Sequence, residues 1–312
     1  SYGNNHVLDA NRQSGIFIIT ANNVTINNLV FINGNLYRGG AIYATGQITL
    51  NNVTFIDNNA SIGGAIYSRG QMTLDNTFFI NNSADSAGGA IAYYDNVFNC
   101  SNSYFINNNA DNGGAIYSMG QLTLDNTTFI NNNASYGSSI YSSNTILNVC
   151  NSSVTSNRPS KYGQIICSMS EVNVDNSEFI NLSSAYAPAL YLSDCESSII
   201  NSRFVNLTAD KSAGAITIRY SGNSNIKGCE FTNTKSFKNA GAILVDYGME
   251  SSNATIIDCV FSNASSIIGG AYVQLGGNLI LRSSNFTDNK AQVGGAVYIS
   301  FANSTIDNCI TT

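Results

Sequence analysis

The chain alternates apolar and polar residues over short stretches, and runs of asparagine, glycine and serine separate these stretches. In QLTLDNTTFI (121–130), Leu122 and Leu124 alternate with Thr123. Alternation with a period of two is typical of a β-strand, and the residues between the stretches are turn formers. Helical spacing of apolar residues is absent, so the pattern predicts an all-β protein.

The same phrase recurs along nearly the whole chain. FINNNA opens and closes the segment 105–134, and GGAIY lies between the two copies. The phenylalanine of the phrase recurs in steps of 24 to 30 residues, with one valine in its place: Phe31, Phe55, Phe79, Phe105, Phe129, Val154, Phe179, Phe204, Phe231, Phe261 and Phe286. This period is typical of a solenoid, and the leucines at fixed offsets that define a leucine-rich repeat are missing.

Two or three short strands per repeat, stacked in register, make a parallel β-helix. We therefore predict an all-β, right-handed parallel β-helix (solenoid) of about 11–12 coils, with roughly 25 residues per coil. Because the array is continuous, we expect one domain over residues 1–312, as part of a longer surface protein.

An asparagine stands three residues before most of these phenylalanines. The column contains Asn28, Asn52, Asn76, Asn102, Asn126, Asn151, Asn176 and Asn201. Asparagine tolerates the left-handed backbone of a sharp bend, and amides stacked at the strand spacing of about 4.8 Å can hydrogen-bond along the stack. We interpret the eight residues as a structural turn ladder. A second polar column follows each phenylalanine by two residues, and we interpret it in the same way.

The GGAIY phrase predicts a second strand, whose isoleucines we assign to the core because that column stays aliphatic in almost every coil. The tyrosines that follow then point outward, as a row that could bind sugar rings or a protein partner. This candidate row contains Tyr43, Tyr67, Tyr117, Tyr141, Tyr191 and Tyr298. The alternative is that these rings merely cover the sheet or face inward.

Charge and composition limit the classes of partner. The net charge is −6 and only 10% of the residues are charged, so we expect no nucleic-acid partner. Apolar runs are too short for a membrane span, and we find no signal-peptide pattern.

The seven cysteines are an odd number, and we expect small buried thiols rather than disulfides. We predict no cofactor and no metal, because CxxC motifs are absent and His6 is the only histidine.

Many parallel β-helices are polysaccharide lyases or hydrolases, which need clustered carboxylates on neighbouring coils. Asp75, Asp125 and Asp175 share one column, but each pair is two coils apart, at about 10 Å. Glu178 and Glu230 flank Arg203 in another column, which indicates an exposed ion-pair ladder. We therefore predict that the protein is not an enzyme.

Several N-x-S/T sequons are compatible with a glycosylated exterior protein, and many arise by chance in a chain of this composition. The candidate N-glycosylation sites are Asn59, Asn133, Asn253 and Asn263.

The repeated GGA[IVLY] and FxxN motifs resemble those of chlamydial polymorphic outer-membrane proteins. The fuller phrase, LDNTTFINNNASYG with GGAIYSMGQLTL, is similar to adhesin-like β-helix surface proteins of methanogenic archaea. The resemblance covers nearly the whole chain and implies an exported, extracellular cell-surface protein that attaches cells to other cells, hosts or surfaces. It implies no catalytic residues.

The leading hypothesis is therefore a non-catalytic cell-surface adhesin, with surface glycans or proteins of other cells as partners. The first alternative is a structural subunit of an extracellular filament or surface coat, built by end-to-end self-association of unpaired strand edges. The second alternative is a β-helix polysaccharide lyase or hydrolase.

Overall fold

A computed structural model describes residues 6–156, 158–246 and 252–312. Within them the chain forms strands without any helix, in a parallel β-solenoid of about twelve turns with about 25 residues per turn. The predicted fold class is confirmed. The chain divides into two compact units, Ser1–Val154 and Thr155–Thr312, which we describe separately.

In the first unit each turn contributes one strand to each of three parallel sheets. The phenylalanine sheet contains β1 (His6–Asp9), β4 (Leu29–Ile32), β8 (Thr54–Ile56), β12 (Phe78–Ile80), β16 (Tyr104–Ile106) and β19 (Thr128–Ile130). The tyrosine sheet contains β2 (Phe17–Ile19), β6 (Ile42–Ala44), β10 (Ile66–Ser68), β14 (Ile91–Tyr93), β17 (Ile116–Ser118) and β20 (Ile140–Ser143). The leucine sheet contains β3 (Val24–Asn27), β7 (Ile48–Asn51), β11 (Met72–Asp75), β15 (Val97–Ser101), β18 (Gln121–Asp125) and β21 (Ile146–Cys150). A small fourth sheet contains β5 (Asn35–Arg38), β9 (Asn59–Ile62) and β13 (Ser83–Ala87).

The second unit repeats this order, and the strand β22 (Ser153–Thr155) includes the boundary between the units. Its phenylalanine sheet contains β25 (Glu178–Ile180), β26 (Ser183–Ser184), β29 (Arg203–Ala209), β32 (Glu230–Ser236), β35 (Val260–Ser262), β38 (Asn285–Thr287) and β41 (Ile310–Thr311). Its tyrosine sheet contains β23 (Ile165–Ser168), β27 (Leu190–Ser193), β30 (Ile216–Arg219), β33 (Ile243–Asp246), β36 (Tyr272–Leu275) and β39 (Val297–Ser300). Its leucine sheet contains β24 (Glu171–Asp175), β28 (Glu196–Ile200), β31 (Asn223–Lys227), β34 (Asn253–Ile257), β37 (Asn278–Arg282) and β40 (Asn303–Asp307).

Equivalent residues of successive coils lie in register, and this register stacks like side chains in the core. Phe79 pairs with Phe105, and their fully buried rings stack with centroids 4.8 Å apart. The isoleucines of the GGAIY strands are likewise fully buried: Ile42, Ile66, Ile91, Ile116 and Ile140. The prediction that these isoleucines form the core is therefore correct. Burying apolar area in every coil is the main stabilising contribution.

The eight asparagines assigned to the turn ladder all adopt the left-handed backbone, with φ between 46° and 58°. Some of their amides bond along the column, as where Asn52 Nδ2 donates to Asn28 Oδ1 over 2.8 Å. Others bond to a neighbouring column instead, and Asn102 Nδ2 donates to Asp75 Oδ1 over 2.7 Å. The second polar column also contains left-handed residues, such as Asn81 with a φ of 55°. Two bends per coil therefore depend on residues that tolerate this conformation.

A further asparagine column, which the sequence pattern did not predict, lies inside the first unit, three residues after four of its repeat phenylalanines. It contains Asn58, Asn82, Asn108 and Asn132, each at most 1% exposed. Asn82 Nδ2 donates to Asn108 Oδ1 over 3.1 Å, and Asn82 Oδ1 accepts from Asn58 Nδ2 over 2.9 Å. This internal ladder satisfies amides that would otherwise be costly to bury. In the second unit, buried Leu182 and Leu207 stand three residues after their phenylalanines.

The paired glycines of GGAIY have two different roles. Gly63 has a φ of 67°, in the left-handed region that glycine adopts without strain. Gly64 lies against the next coil, where an added Cβ would be 2.0 Å from the carbonyl oxygen of Gly89. The first glycine therefore makes the turn, and the second allows neighbouring coils to approach.

All seven cysteines are free, and five of them are buried. The Cys229 Sγ donates to the carbonyl oxygens of Ile199 and Lys227. Burial raises the pKa of Cys100 to about 12, so this thiol stays protonated at neutral pH. The five buried cysteines therefore pack as small core residues, as expected from the sequence.

Candidate functional site

The tyrosine sheet of the first unit positions the candidate binding residues. In β6, β10, β17 and β20 an inward isoleucine precedes a tyrosine, and strand alternation places that tyrosine on the other face. The parallel register aligns Tyr43 with Tyr67, and Tyr117 with Tyr141. The repeat itself therefore stacks tyrosines on one face.

The rings form a continuous column of five tyrosines. Tyr43 and Tyr67 stack with centroids 5.4 Å apart, and so do Tyr117 and Tyr141. Between these pairs the coil carries Ala92, and Tyr94 supplies the missing ring at 5.2 Å from Tyr67 and 5.7 Å from Tyr117. We call Tyr43, Tyr67, Tyr94, Tyr117 and Tyr141 the tyrosine column.

The repeat pattern did not predict Tyr94 as a member of the column, because Tyr94 stands two residues after the aligned position, Ala92. The signal for it was present: the coil reads AIAYYDN, where an alanine replaces the repeat tyrosine and two tyrosines follow at once.

The expectation of an exposed row is wrong for Tyr67, which is only 3% exposed. Its ring lies between those of Tyr43 and Tyr94, and the Arg38 guanidinium lies 5.3 Å from its centroid. Tyr43, Tyr117 and Tyr141 are partly buried, since stacking at the coil spacing covers the ring faces. The column therefore presents ring edges and hydroxyls rather than open faces.

The two predicted residues of the second unit do not extend a column. On the strands between Tyr191 and Tyr298, the aligned positions hold buried Thr217, Leu244 and Val273.

These two tyrosines have separate surroundings. Tyr191 OH accepts a hydrogen bond from Arg219 Nη1 over 3.3 Å, and the Tyr162 ring meets the Tyr191 ring edge-on. Tyr298 packs against an apolar cluster that includes Leu244 and Val273. Both rings are therefore packing residues of their own coils.

Burial also sets the protonation of the column. It raises the pKa of Tyr94 to about 12, and the neighbouring Tyr117 and Tyr67 raise it further while Arg38 opposes the shift. Burial likewise raises the pKa of Tyr117. These phenols therefore remain hydrogen-bond donors across the physiological pH range.

The carboxylates considered as catalytic residues accept hydrogen bonds from polar side chains of the next coil or form ion pairs with Arg203. Asp75 Oδ1 accepts from Ser101 Oγ over 2.9 Å, and Asp125 Oδ1 accepts from Asn151 Nδ2 over 2.6 Å. Asp175 Oδ1 accepts a longer bond, 3.5 Å, from Asn201 Nδ2.

Arg203 Nη1 lies 2.7 Å from Glu178 Oε1, and Arg203 Nε lies 3.2 Å from Glu230 Oε2. These exposed groups form the expected ion-pair ladder. Over residues 6–156, 158–246 and 252–312, His, Cys, Asp and Glu do not cluster in a way that could hold a metal ion. The same residues form no helix that could cross a membrane.

The candidate glycosylation sites differ in the bonding of Nδ2, the atom that a glycan would occupy. Asn133, Asn253 and Asn263 each donate through Nδ2 to an asparagine of the preceding coil, over 2.7, 3.2 and 2.7 Å. Asn59 is exposed on β9 and takes part in none of the side-chain hydrogen bonds found among the described residues. Asn59 is thus the most accessible of the four.

The sheets, turns and stacked rings define a parallel β-solenoid with a repetitive aromatic surface. The family model for the right-handed β-helix region matches residues 151–311, about half of the chain, and the chain belongs to this family. The Chlamydia polymorphic membrane protein repeat matches residues 52–69, 76–93 and 102–119. No curated protein and no solved structure matches the chain. The resemblance to archaeal adhesin-like proteins stays a prediction.

Proposed function

We infer that the chain is a non-enzymatic, adhesin-like part of an extracellular cell-surface protein, and that the tyrosine column contacts its partner. The expected partner is a glycan or protein on another cell or on a host surface.

The observation that supports this most is where the matched repeats fall. The segments 52–69 and 102–119 contain Tyr67 and Tyr117, and the segment 76–93 ends one residue before Tyr94. The coils most similar to repeats of a polymorphic membrane protein are therefore the coils that build the centre of the column. A repeat shared with a family of membrane proteins favours a surface location.

The chemistry of the column suits weak, repeated contacts. Tyrosine offers an apolar ring and a polar tip, so its edge can pack against a sugar or peptide while its hydroxyl hydrogen-bonds. Stacking on its neighbours restrains each ring, which lowers the entropy lost on binding. The four partly exposed rings, Tyr43, Tyr94, Tyr117 and Tyr141, offer a ligand several contacts along one column.

Binding of the purified chain to a glycan array and to intact cells tests this proposal. The double variant Tyr43→Ser/Tyr141→Ser should weaken binding about fivefold or more, because two aromatic contacts contribute about 0.5–1.5 kcal/mol each. Tyr104→Ser is the matched control, since Tyr104 is 39% exposed on the phenylalanine sheet. Equal binding by both variants, or no binding by the wild-type chain, would contradict the proposal.

A further inference from the structure

The turns of the second unit that lead from the phenylalanine sheet to the tyrosine sheet carry a charge opposite to that of the whole chain. Together with β26 and the last residues of β29 and β32, these turns span residues 158–164, 183–189, 208–214, 234–241, 264–270 and 289–295. They contain six cations, Arg158, Lys161, Lys211, Lys235, Lys238 and Lys290, against the single carboxylate of Asp210. The net charge of the chain is −6. We call this surface the basic edge.

The coil register places two of these cations, Lys235 and Lys290, in one column. Bridges align Thr208, Lys235, Ser265 and Lys290 in one column on successive coils. Lys235 and Lys290 are therefore two coils apart, at about 10 Å. Two coils correspond to the length of about one disaccharide in an extended polysaccharide.

Aromatic rings accompany the cations. Tyr162 and Tyr186 stack with centroids 4.8 Å apart, and Lys211 Nζ lies 5.5 Å from the Tyr186 centroid. Lys235 Nζ lies 4.2 Å from the centroid of Phe237, which is 53% exposed. An exposed phenylalanine beside a lysine offers apolar and cationic contacts at one point.

Three lysines of the edge, Lys211, Lys235 and Lys290, form no ion pair with a carboxylate among the described residues. The three ion pairs found among the described residues use Arg203 and Arg219, and none uses Lys211, Lys235 or Lys290. All three lysines are exposed. A cluster of unneutralised cations produces a local positive field that attracts an anionic ligand.

We propose that the basic edge binds an anionic polysaccharide, with its acidic groups on the lysines and its sugar rings against Phe237 and the tyrosine pair. The proposal rests on the inferred surface-binding function and names one ligand class for it. Nucleic acid fits less well, because the acidic remainder of the chain repels a densely charged polyanion.

Binding of the full chain to hyaluronan, which carries one carboxylate per disaccharide, tests the proposal at low and at physiological salt. Dextran is the neutral comparison, and a single-stranded oligonucleotide is the competing polyanion. We expect measurable binding to hyaluronan that weakens as salt rises, and no binding to dextran. Preference for the oligonucleotide, or no binding to hyaluronan, would overturn the proposal.

Two sets of variants locate the site. The triple variant Lys211→Gln/Lys235→Gln/Lys290→Gln should weaken hyaluronan binding at least tenfold. The variant Phe237→Ser should weaken it several-fold, with little change in salt dependence.

The charge-matched control replaces three exposed cations elsewhere, as Arg69→Gln/Lys227→Gln/Arg282→Gln, and should change hyaluronan binding less than twofold. Equal losses in the two triple variants would show a non-specific charge effect and overturn the proposal. If hyaluronan fails but the chain still binds cells through the tyrosine column, the proposed function stands without this inference.

Discussion

Replacing Asn82 with leucine should destabilise the first unit. This is expected even though two coils of the second unit have leucine at the equivalent position, three residues after the phenylalanine. Asn82 is fully buried and makes four hydrogen bonds through its amide. Its Nδ2 donates to the carbonyl oxygen of Phe55 and to Asn108 Oδ1, over 3.0 and 3.1 Å. Its Oδ1 accepts from the backbone N–H and from Nδ2 of Asn58, over 3.1 and 2.9 Å.

The size of the loss in unfolding free energy follows from the hydrogen-bond partners of Asn82 that leucine cannot satisfy. The buried backbone N–H of Asn58 loses the acceptor of its bond to Asn82, which costs about 1–3 kcal/mol. The remaining bonds contribute about 0.5–1.5 kcal/mol each, and burial of the leucine methyl groups offsets part of the loss. We expect a net decrease of about 2–4 kcal/mol in the free energy of unfolding.

Urea unfolding monitored by circular dichroism, together with hydrogen exchange at the Asn58 amide, measures this effect. Asn99→Leu is the matched control, because Asn99 is an exposed residue of β15 outside the ladder. Its free energy of unfolding should change by less than about 0.5 kcal/mol. Faster exchange at Asn58 is expected in Asn82→Leu alone. Equal midpoints and equal exchange in the two variants would refute the reasoning.

Three further predictions concern turns, modification and pH. Asn126→Val should cost about 1–3 kcal/mol in unfolding free energy through left-handed strain, whereas Thr128→Val should cost well under 1 kcal/mol; equal thermal melting losses would contradict this. In a glycosylating host, mass spectrometry should find a glycan on Asn59 and none on Asn263, whose Nδ2 is bonded within a ladder; the reverse result would contradict the assignment. Because burial raises the pKa of Tyr94 to about 12 in the folded state, above about 10 when unfolded, stability should be fully present below about pH 10 and fall as pH rises towards 12. Urea midpoints across that range should fall less steeply in Tyr94→Phe, and an identical slope would count against the shift.

The fold was predictable because the same pattern of strand and turn residues recurs in successive coils. The period located the strands, and the alternation of Leu122 and Leu124 oriented the leucine sheet. The asparagine three residues before most of the phenylalanines marked a left-handed bend.

The internal ladder was not predictable in the same way. In FINNNA three asparagines stand side by side, and composition does not say which one faces the core; the geometry of the second bend turns the middle one, such as Asn108, inward.

The candidate site was predicted in part for a similar reason. Alternation correctly placed the tyrosines opposite the isoleucines, but it says nothing about how far a ring is covered. Burial of Tyr67 depends on contacts with Arg38 and Tyr94, which come from other coils. The basic edge depends on turns whose lysines are far apart in sequence, so only the register brings Lys235 and Lys290 into one column.

The central claim is that the tyrosine column of a surface β-helix contacts a partner. Hydroxyl-radical footprinting of the chain, with and without a glycan or cell-surface protein that it binds, measures the accessibility of each tyrosine side chain directly. The bound partner should protect Tyr43, Tyr117 and Tyr141, while Tyr104 should be oxidised at an unchanged rate. Protection of Tyr104 instead, or release of reducing sugar ends from the bound glycan, would contradict it.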